Sequence, residues 1–489
     1  PWVKHIKLSP TWQKKKYLLS VDLLDTMLFT SYNTAIPVGG NDGPLWQGRG
    51  MNRSLSLGVN LQAGLVHFQF KPVITQTANL DYELFRRNRG KYETPFRGLV
   101  QRFGEDPISE FSWGDSFVAI RLFGLETSVG NSRMWIGPAT TYPLLFGTNA
   151  PGFLHGRFGT YRPLNIGLGY LEGHYIAGKL EGSEFATIHT RSVNALVASF
   201  TPRWIPGLSL GVQRLFVDYY PDNLKDLLFH DTLFQVFLKE NLANEETGDD
   251  GSDPDNQILS LYGRWAFPGY KYEFYGSFVV NDHRTDARDL RAHPDHAAYW
   301  NFGMTKLFEP SSTSWLSVNF EVTELEDTRS SISRGWPNPN RWHSIPLTHH
   351  GNNPFNNKGT PIGSMVGPSG NAMVFRVDYF NEDGKYSIRI NRHNYMNSLI
   401  HNQSLGINIR LGDHTTLSSE NQDVDLHDIR QTEIQTAIET TQFLPWFGLE
   451  LDAGLEFTHR MNFNFVYQND INNWRLFFAI RKVLPGRRW

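Results

Sequence analysis

The chain has 489 residues, with 46 Lys and Arg against 49 Asp and Glu for a net charge of -3, no cysteine, 43 glycines and 14% aromatic residues. That balance supplies no basic field, so nucleic acid is not an implied partner. No apolar run approaches the roughly 20 residues that a spanning helix needs, which excludes a helical membrane protein. Mean hydropathy is -0.40, and the apolar residues lie in short alternating strips. A transmembrane barrel is built this way, with one side chain in two facing lipid and the next a polar lumen. The start at Pro1, with neither methionine nor an apolar leader, reads as a mature form whose export signal has been removed.

In residues 1–50, Tyr17, Val21, Leu24 and Leu28 fall at helical spacing behind Lys14-Lys15-Lys16. The spacing predicts a short amphipathic helix, with Leu23 and Phe29 leaving a strand as the alternative. We take 1–50 as an N-terminal periplasmic or plug segment and 51–489 as the barrel. From Ser54 the alternation is strict: Leu55, Leu57, Val59, Leu61 and Ala63 share one face, and past Gly64 so do Val66, Phe68 and Phe70. Each arm is about the 9–11 residues of a tilted transmembrane strand.

Residues 82–112 carry Arg86, Arg87, Arg89, Lys91, Arg97 and Arg102. Charge runs are ordinarily solvated surface. Folded into the lumen, Arg86, Arg87 and Arg89 would make an anion site for carboxylate or phosphate groups on a glycan. Next comes Trp113-Gly114-Asp115-Ser116, alternation through Val118, Ile120 and Leu122, then Arg133-Met134-Trp135-Ile136-Gly137-Pro138 and Asn149-Ala150-Pro151-Gly152-Phe153. The Gly-Pro and Ala-Pro-Gly steps break pairing and turn the chain.

Strands are predicted over Ile166–Lys179, Val193–Thr201 and Leu208–Val217. The loop with Glu245, Glu246, Asp249, Asp250, Asp253 and Asp255 lacks the helix–loop–helix calcium spacing and reads as a mobile extracellular loop. Leu259, Leu261, Trp265 and Phe267 then enter a Pro268-Gly269 turn that Tyr270, Tyr272 and Phe274 leave, so Trp265/Phe267 and Tyr270/Tyr272 read as an interfacial girdle. Further strands are expected over Tyr299–Leu307, Ser314–Thr323, Ala372–Phe380, Lys385–Arg392, Gln403–Leu411, Ile429–Thr441, Phe447–Thr458, Asn462–Tyr467 and Trp474–Val483. At about 25–30 residues per hairpin the length accommodates some 16 to 18 strands. The fold class is all-β, a transmembrane antiparallel β-barrel.

Catalytic signatures are lacking: there is no Gly-x-Ser-x-Gly elbow, phosphate-cradling loop or paired-histidine motif. His293-Pro294-Asp295-His296 and Thr348-His349-His350 have no third ligand at a metal-site spacing. Neither catalytic residues, metal nor cofactor is assigned, and the chain is read as a binding protein rather than an enzyme. The long segment from Glu324 to Asn371 holds Trp336, Trp342, Phe355 and Asn352, Asn353, Asn356 and Asn357. These can stack on sugar rings and hydrogen-bond hydroxyls, or pack the loop against its neighbours.

The run Arg133–Pro138, followed by Asn149–Phe153, is similar to the Trp-Gly-Pro-Gly region of the Wzi-type capsule assembly proteins, with Trp135, Gly137, Pro138, Asn149 and Pro151 at the matching positions. Asn256-Gln257 with Phe274-Tyr275-Gly276, Thr348-His349-His350 with Gly359 and Pro361-Ile362-Gly363, and Ala372–Phe380 with Asp383 and Tyr386 follow in the same order. The resemblance covers roughly residues 50–480. It implies an 18-stranded outer-membrane barrel, its lumen largely closed by loops and an N-terminal periplasmic helical piece, that attaches capsular polysaccharide at the cell surface. Trp336, Trp342, His349 and His350 are the residues expected to contact sugar. The alternatives are a structural subunit of a larger outer-membrane assembly with protein partners, or an anion-preferring channel. Surface polysaccharide and outer-membrane lipid are the expected partners.

Overall fold

The structure, a computed structural model, describes residues 19–85, 91–94, 98–186, 188–228, 256–281, 295, 298–326, 353–397, 410–411, 415–416, 430–444, 448–482 and 487–488. Period-two alternation gives each strand one apolar and one largely polar face. In the strand Gly50–Ala63, Met51, Leu55 and Leu57 are exposed while Asn52, Ser54 and Ser56 are buried. A sheet with two such faces must close on itself or bury the apolar one.

It closes. The wall strands are β1 (Leu19–Asn33), β2 (Gly50–Ala63), β3 (Val66–Phe70 and Val73–Thr77), β4 (Ile108–Ser112 and Phe117–Leu122), β5 (Leu125–Gly130) and β6 (Leu154–Thr160 and Leu164–Asn165). They continue as β7 (Gly169–Leu180), β8 (Arg191–Pro202), β9 (Leu208–Tyr219), β10 (Asn256–Phe267), β11 (Tyr272–Asn281) and β12 (Ala298–Ser311). The last are β13 (Ser314–Glu324), β14 (Asn371–Phe380), β15 (Gly384–Asn394), β16 (Thr432–Leu444), β17 (Leu449–Met461) and β18 (Ile471–Lys482). Each pairs antiparallel with the next, and Arg475–Lys482 of β18 pairs with Thr26–Asn33 of β1. The result is an 18-stranded closed barrel, its first and last wall strands joined edge to edge.

Connections alternate in length. Gly64-Leu65, Phe123-Gly124 and Ser311–Ser314 turn tightly at one end, whereas 131–153 lies at the other, where the strand Ser314–Glu324 ends and the strand Asn371–Phe380 begins. In outer-membrane barrels the long loops are extracellular. Trp204, Trp265, Tyr270, Tyr379 and Tyr386 stand exposed beside the tight turns, and Tyr32, Tyr219, Trp300 and Trp474 near the opposite ends of their strands. These are the two belts that mark membrane interfaces.

Three expectations are corrected. Residues 19–33 form the strand that closes the barrel, not a helix, so the domain boundary drawn at residue 50 falls after the first wall strand. The register slips between Leu24 and Met27. That slip moves the lipid-facing phase from Leu19 and Leu23 to Leu28 and Tyr32, and a phase change in a strand imitates helical spacing. Asn462–Tyr467 holds a short 3-10 turn at Phe463–Phe465, because Asn462, Asn464 and Phe465 take positive φ. Finally, the expected wall strand Gln403–Leu411 lies outside the described residues except for Arg410-Leu411, which pair with Thr415-Thr416 in a separate sheet, while β15 pairs directly with β16.

Two connections fold inside the wall. Tyr142, Leu144, Leu145, Phe146 and Phe153 of segment 131–153 and Phe355, Ile362 and Val366 of segment 353–370 form one core with inward-facing residues of β7 to β14, among them Ile176, Leu215, Ile258, Val279 and Tyr299. Burying a Phe side chain fully contributes about 1.5–3 kcal/mol.

Candidate functional site

The site begins with how the interior segments are fixed. Gly137 holds φ at +112°, a backbone region open to glycine. Gly152 packs so closely on the Asn131 carbonyl that a Cβ would collide with it. At the entrance Arg133 makes a two-pronged bond to Asp115, Nε to Oδ1 at 3.0 Å and Nη2 to Oδ2 at 2.7 Å. Burial alone would lower the Arg133 pKa, but the Asp115 carboxylate outweighs it and raises the value.

Further along, the Glu321 carboxylate reaches inward from β13 and gathers the backbone N–H groups of Thr140 (2.7 Å), Thr141 (3.2 Å) and Tyr142 (2.7 Å), together with the Tyr275 hydroxyl at 2.9 Å. A buried carboxylate is stable when donors surround it in this way. Asn149 donates to the Pro361 carbonyl at 3.0 Å and accepts from the Asn41 N–H at 3.3 Å. The Pro151 carbonyl accepts from Asn357 at 3.1 Å, and Trp135 Nε1 donates to the Ala139 carbonyl at 3.0 Å. The motif residues thus position the interior segment.

Phe355, Asn353, Asn356 and Asn357 are buried, so they pack the loop and cannot present a sugar platform. Arg191, itself fully buried, donates to the carbonyls of Pro354 and Asn356 and holds that stretch to the wall. Trp336, Trp342, His349, His350, Arg86, Arg87 and Arg89 lie outside the described residues, as do Arg97, Asn352 and the acidic loop 245–255.

What the described residues do bring together is a cavity of about 190 Å³ at the long-loop end, lined by Asp42, Trp46, Phe103, Glu110, Asn149 and Lys358. The β1–β2 connection supplies Asp42 and Trp46. Asn33 fixes its base by donating to the carbonyls of Val38 (3.0 Å) and Gln47 (3.2 Å). The Trp46 ring meets Phe103 edge-on at 5.2 Å, and Asp42 Oδ2 accepts the Gly40 N–H at 2.6 Å. Burial raises the Asp42 pKa against the opposing pull of Arg475.

Beside it runs a broader groove of about 1140 Å³, bordered by Arg49, Asp81, Tyr82, Lys91, Arg102 and Glu105. Arg102 bonds Asp81 at 2.5 Å, Lys91 pairs with Glu105, and burial raises the Tyr82 pKa. The segment carrying Phe103 separates groove from cavity. Sequence reading missed Trp46 because one residue at a loop tip has no periodic signature; the signal present was a Trp three residues past the Asn41-Asp42-Gly43 turn. Among the described residues no group of three or more His, Cys, Asp or Glu is placed to hold a metal.

A family model described as capsule assembly protein Wzi matches residues 40–468. No curated protein matches the chain. Among solved structures, Escherichia coli Wzi, described as an outer membrane protein involved in group 1 capsule assembly and as a carbohydrate-binding β-barrel, aligns with a TM-score of 0.59 at 13% identity, over 94% of this chain and 85% of that one. The outer membrane protein OprD of Pseudomonas aeruginosa aligns at 0.45 with 10% identity, over 97% and 96% of the two chains. A BenF-like porin of Pseudomonas fluorescens aligns at 0.43 with 12% identity, over 97% and 99%.

Proposed function

The chain belongs to the Wzi capsule assembly family, and from that membership we propose that it holds capsular or related surface polysaccharide at the extracellular end of its outer-membrane barrel. The observation that carries the reading is the rim cavity, in which an indole, a carboxylate and an amide converge. The C–H face of a pyranose stacks on Trp46, while Asp42 and Asn149 take the hydroxyls that would otherwise bond water. The neighbouring groove extends contact along a polymer. Weak contacts repeated along one chain retain it far better than any one of them would.

The activity is retention rather than turnover, with no residue assigned to bond breaking. Trp336, Trp342, His349 and His350 are proposed as further sugar contacts, and Arg86, Arg87 and Arg89 as an anion site. Outer-membrane lipid is the partner of the apolar wall, and protein partners belong to the scaffold alternative. The interior core supports a largely closed lumen over an open pore.

The test is titration of the purified protein with capsular oligosaccharides, read by tryptophan fluorescence and calorimetry. Trp46→Ala is expected to weaken binding about tenfold, the equivalent of about 1.4 kcal/mol. Oligosaccharide binding of equal strength in wild type and the Trp46→Ala, Asp42→Asn double variant would remove the site from the function.

A further inference from the structure

The rim cavity shares part of its lining with a second cavity. The second is about 420 Å³ and lies between the interior segments and the wall of β15 to β18. Val38, Gly39 and Gly40 line both. The first cavity meets the wall at Thr75, Thr77 and Ile108, near the extracellular ends of β3 and β4. The second reaches Lys385, Thr441 and Asp452, beside the tight turns at the other end.

The backbone of residues 38–41 runs between them. It carries the positive-φ residue Asn41 and side-chain ties to the interior segment. Asn41 donates to the Thr141 carbonyl at 3.0 Å, and its own carbonyl accepts from Thr148 at 3.2 Å. Across the strip Met365 packs so closely on Gly40 that a Cβ there would collide with its sulfur. The Asn41 Oδ1 atom is buried with no partner among the described residues.

The wall below is charged. Arg376, Lys385, Arg389 and Arg475 line the second cavity, against the carboxylates of Glu439, Asp452 and Glu456. Apolar walls would not solvate a permeating ion, whereas rings of charged side chains do.

We propose that residues 38–41, backed by Met365, form a septum across an ion path that runs along the β15–β18 wall, so that displacing the septum joins the two cavities into a weakly anion-preferring conduit for small inorganic ions. This goes beyond polysaccharide retention and does not depend on it. Over both cavities Lys358 brings the cations to five, and Asp42 and Glu110 bring the carboxylates to five. Replacing 37–43 takes Asp42 away, so the opened path keeps one excess cation and favours chloride over potassium weakly.

The experiment is planar-bilayer recording of the full chain in potassium chloride. Wild type is expected to be silent. Asn41→Ala with Met365→Ala is expected to give brief openings, and replacement of 37–43 by a short Gly-Ser linker a steady current, each variant first shown to be folded by its heat-dependent migration on gels. In the linker background, Arg389→Ala is expected to move the reversal potential towards potassium. Steady current in wild type, silence in the folded linker variant, or a reversal potential indifferent to Arg389→Ala would each overturn the proposal.

Discussion

From β7 to β14 the inward side chains include Ile176, Val193, Leu215, Ile258 and Val279, packed on Phe146 and Phe355. From β15 round to β18 they include Arg389, Glu439, Glu456 and Arg475, linked as Arg389–Glu456 at 2.8 Å and Arg475–Glu456 at 3.2 Å and facing a cavity. The lipid faces of the two halves are alike, with Phe274 and Phe302 exposed on one and Ile388 and Ile438 on the other. The inner face alone decides where an interior segment seats. Apolar inward residues gain by being covered, whereas covering the charged ladder would strip water from ions that the ladder only partly compensates.

That contrast predicts an order of effects. Phe146→Ala, in the apolar half, is expected to cost about 3–5 kcal/mol, read by denaturant unfolding in detergent. Glu321→Ala follows at about 3 kcal/mol, because the buried Tyr142 N–H and the part-buried N–H groups of Thr140 and Thr141 lose their acceptor. It should also expose 131–153 to limited proteolysis, with Glu321→Gln recovering part of the protection. Arg389→Ala is expected to cost only about 1–2 kcal/mol, since Arg376 and Arg475 still pair with Glu439 and Glu456; a loss matching that of Phe146→Ala would erase the distinction between halves.

The smallest effect is a pH dependence at Asp42. Its native pKa is raised above 3.8 by burial, so the folded state holds the proton more tightly than the unfolded one. Stability from this group is therefore lost as pH climbs from about 3.8 through the raised native value. Asp42→Asn should match wild type in acid and exceed it at neutral pH, as followed by melting temperature across the range.

The wall was legible because period two survives any tertiary context: the hairpin of Leu55 to Phe70 and the turn at Pro268-Gly269 stand where alternation and turn residues place them. What alternation cannot convey is a slip of phase, which hid β1, or a break such as Trp113–Ser116, which divides β4 into two segments. The interior was less legible. Phe355 and its asparagines look like exposed recognition residues in sequence, since burial of a loop inside a barrel leaves no periodic trace. Trp46 and Asp42 were invisible as a site for the opposite reason. Their meaning comes from Asn149, Lys358 and Glu110, which are brought near only by closure.

The seam between β1 and β18 carries a kinetic consequence. Beyond the paired strands, Asn473 Oδ1 accepts the N–H groups of Ala35 (2.8 Å) and Ile36 (3.2 Å), and its amide donates to Asn33 across a separation of 440 positions. Contacts this distant along the chain form late, after the local hairpins have shortened the effective loop. Until they do, the nascent sheet has two bare margins, each able to recruit a strand from another copy. The Asn473 clasp, sitting at the end of that zipper, therefore belongs to the last contacts made as the open ribbon becomes a cylinder.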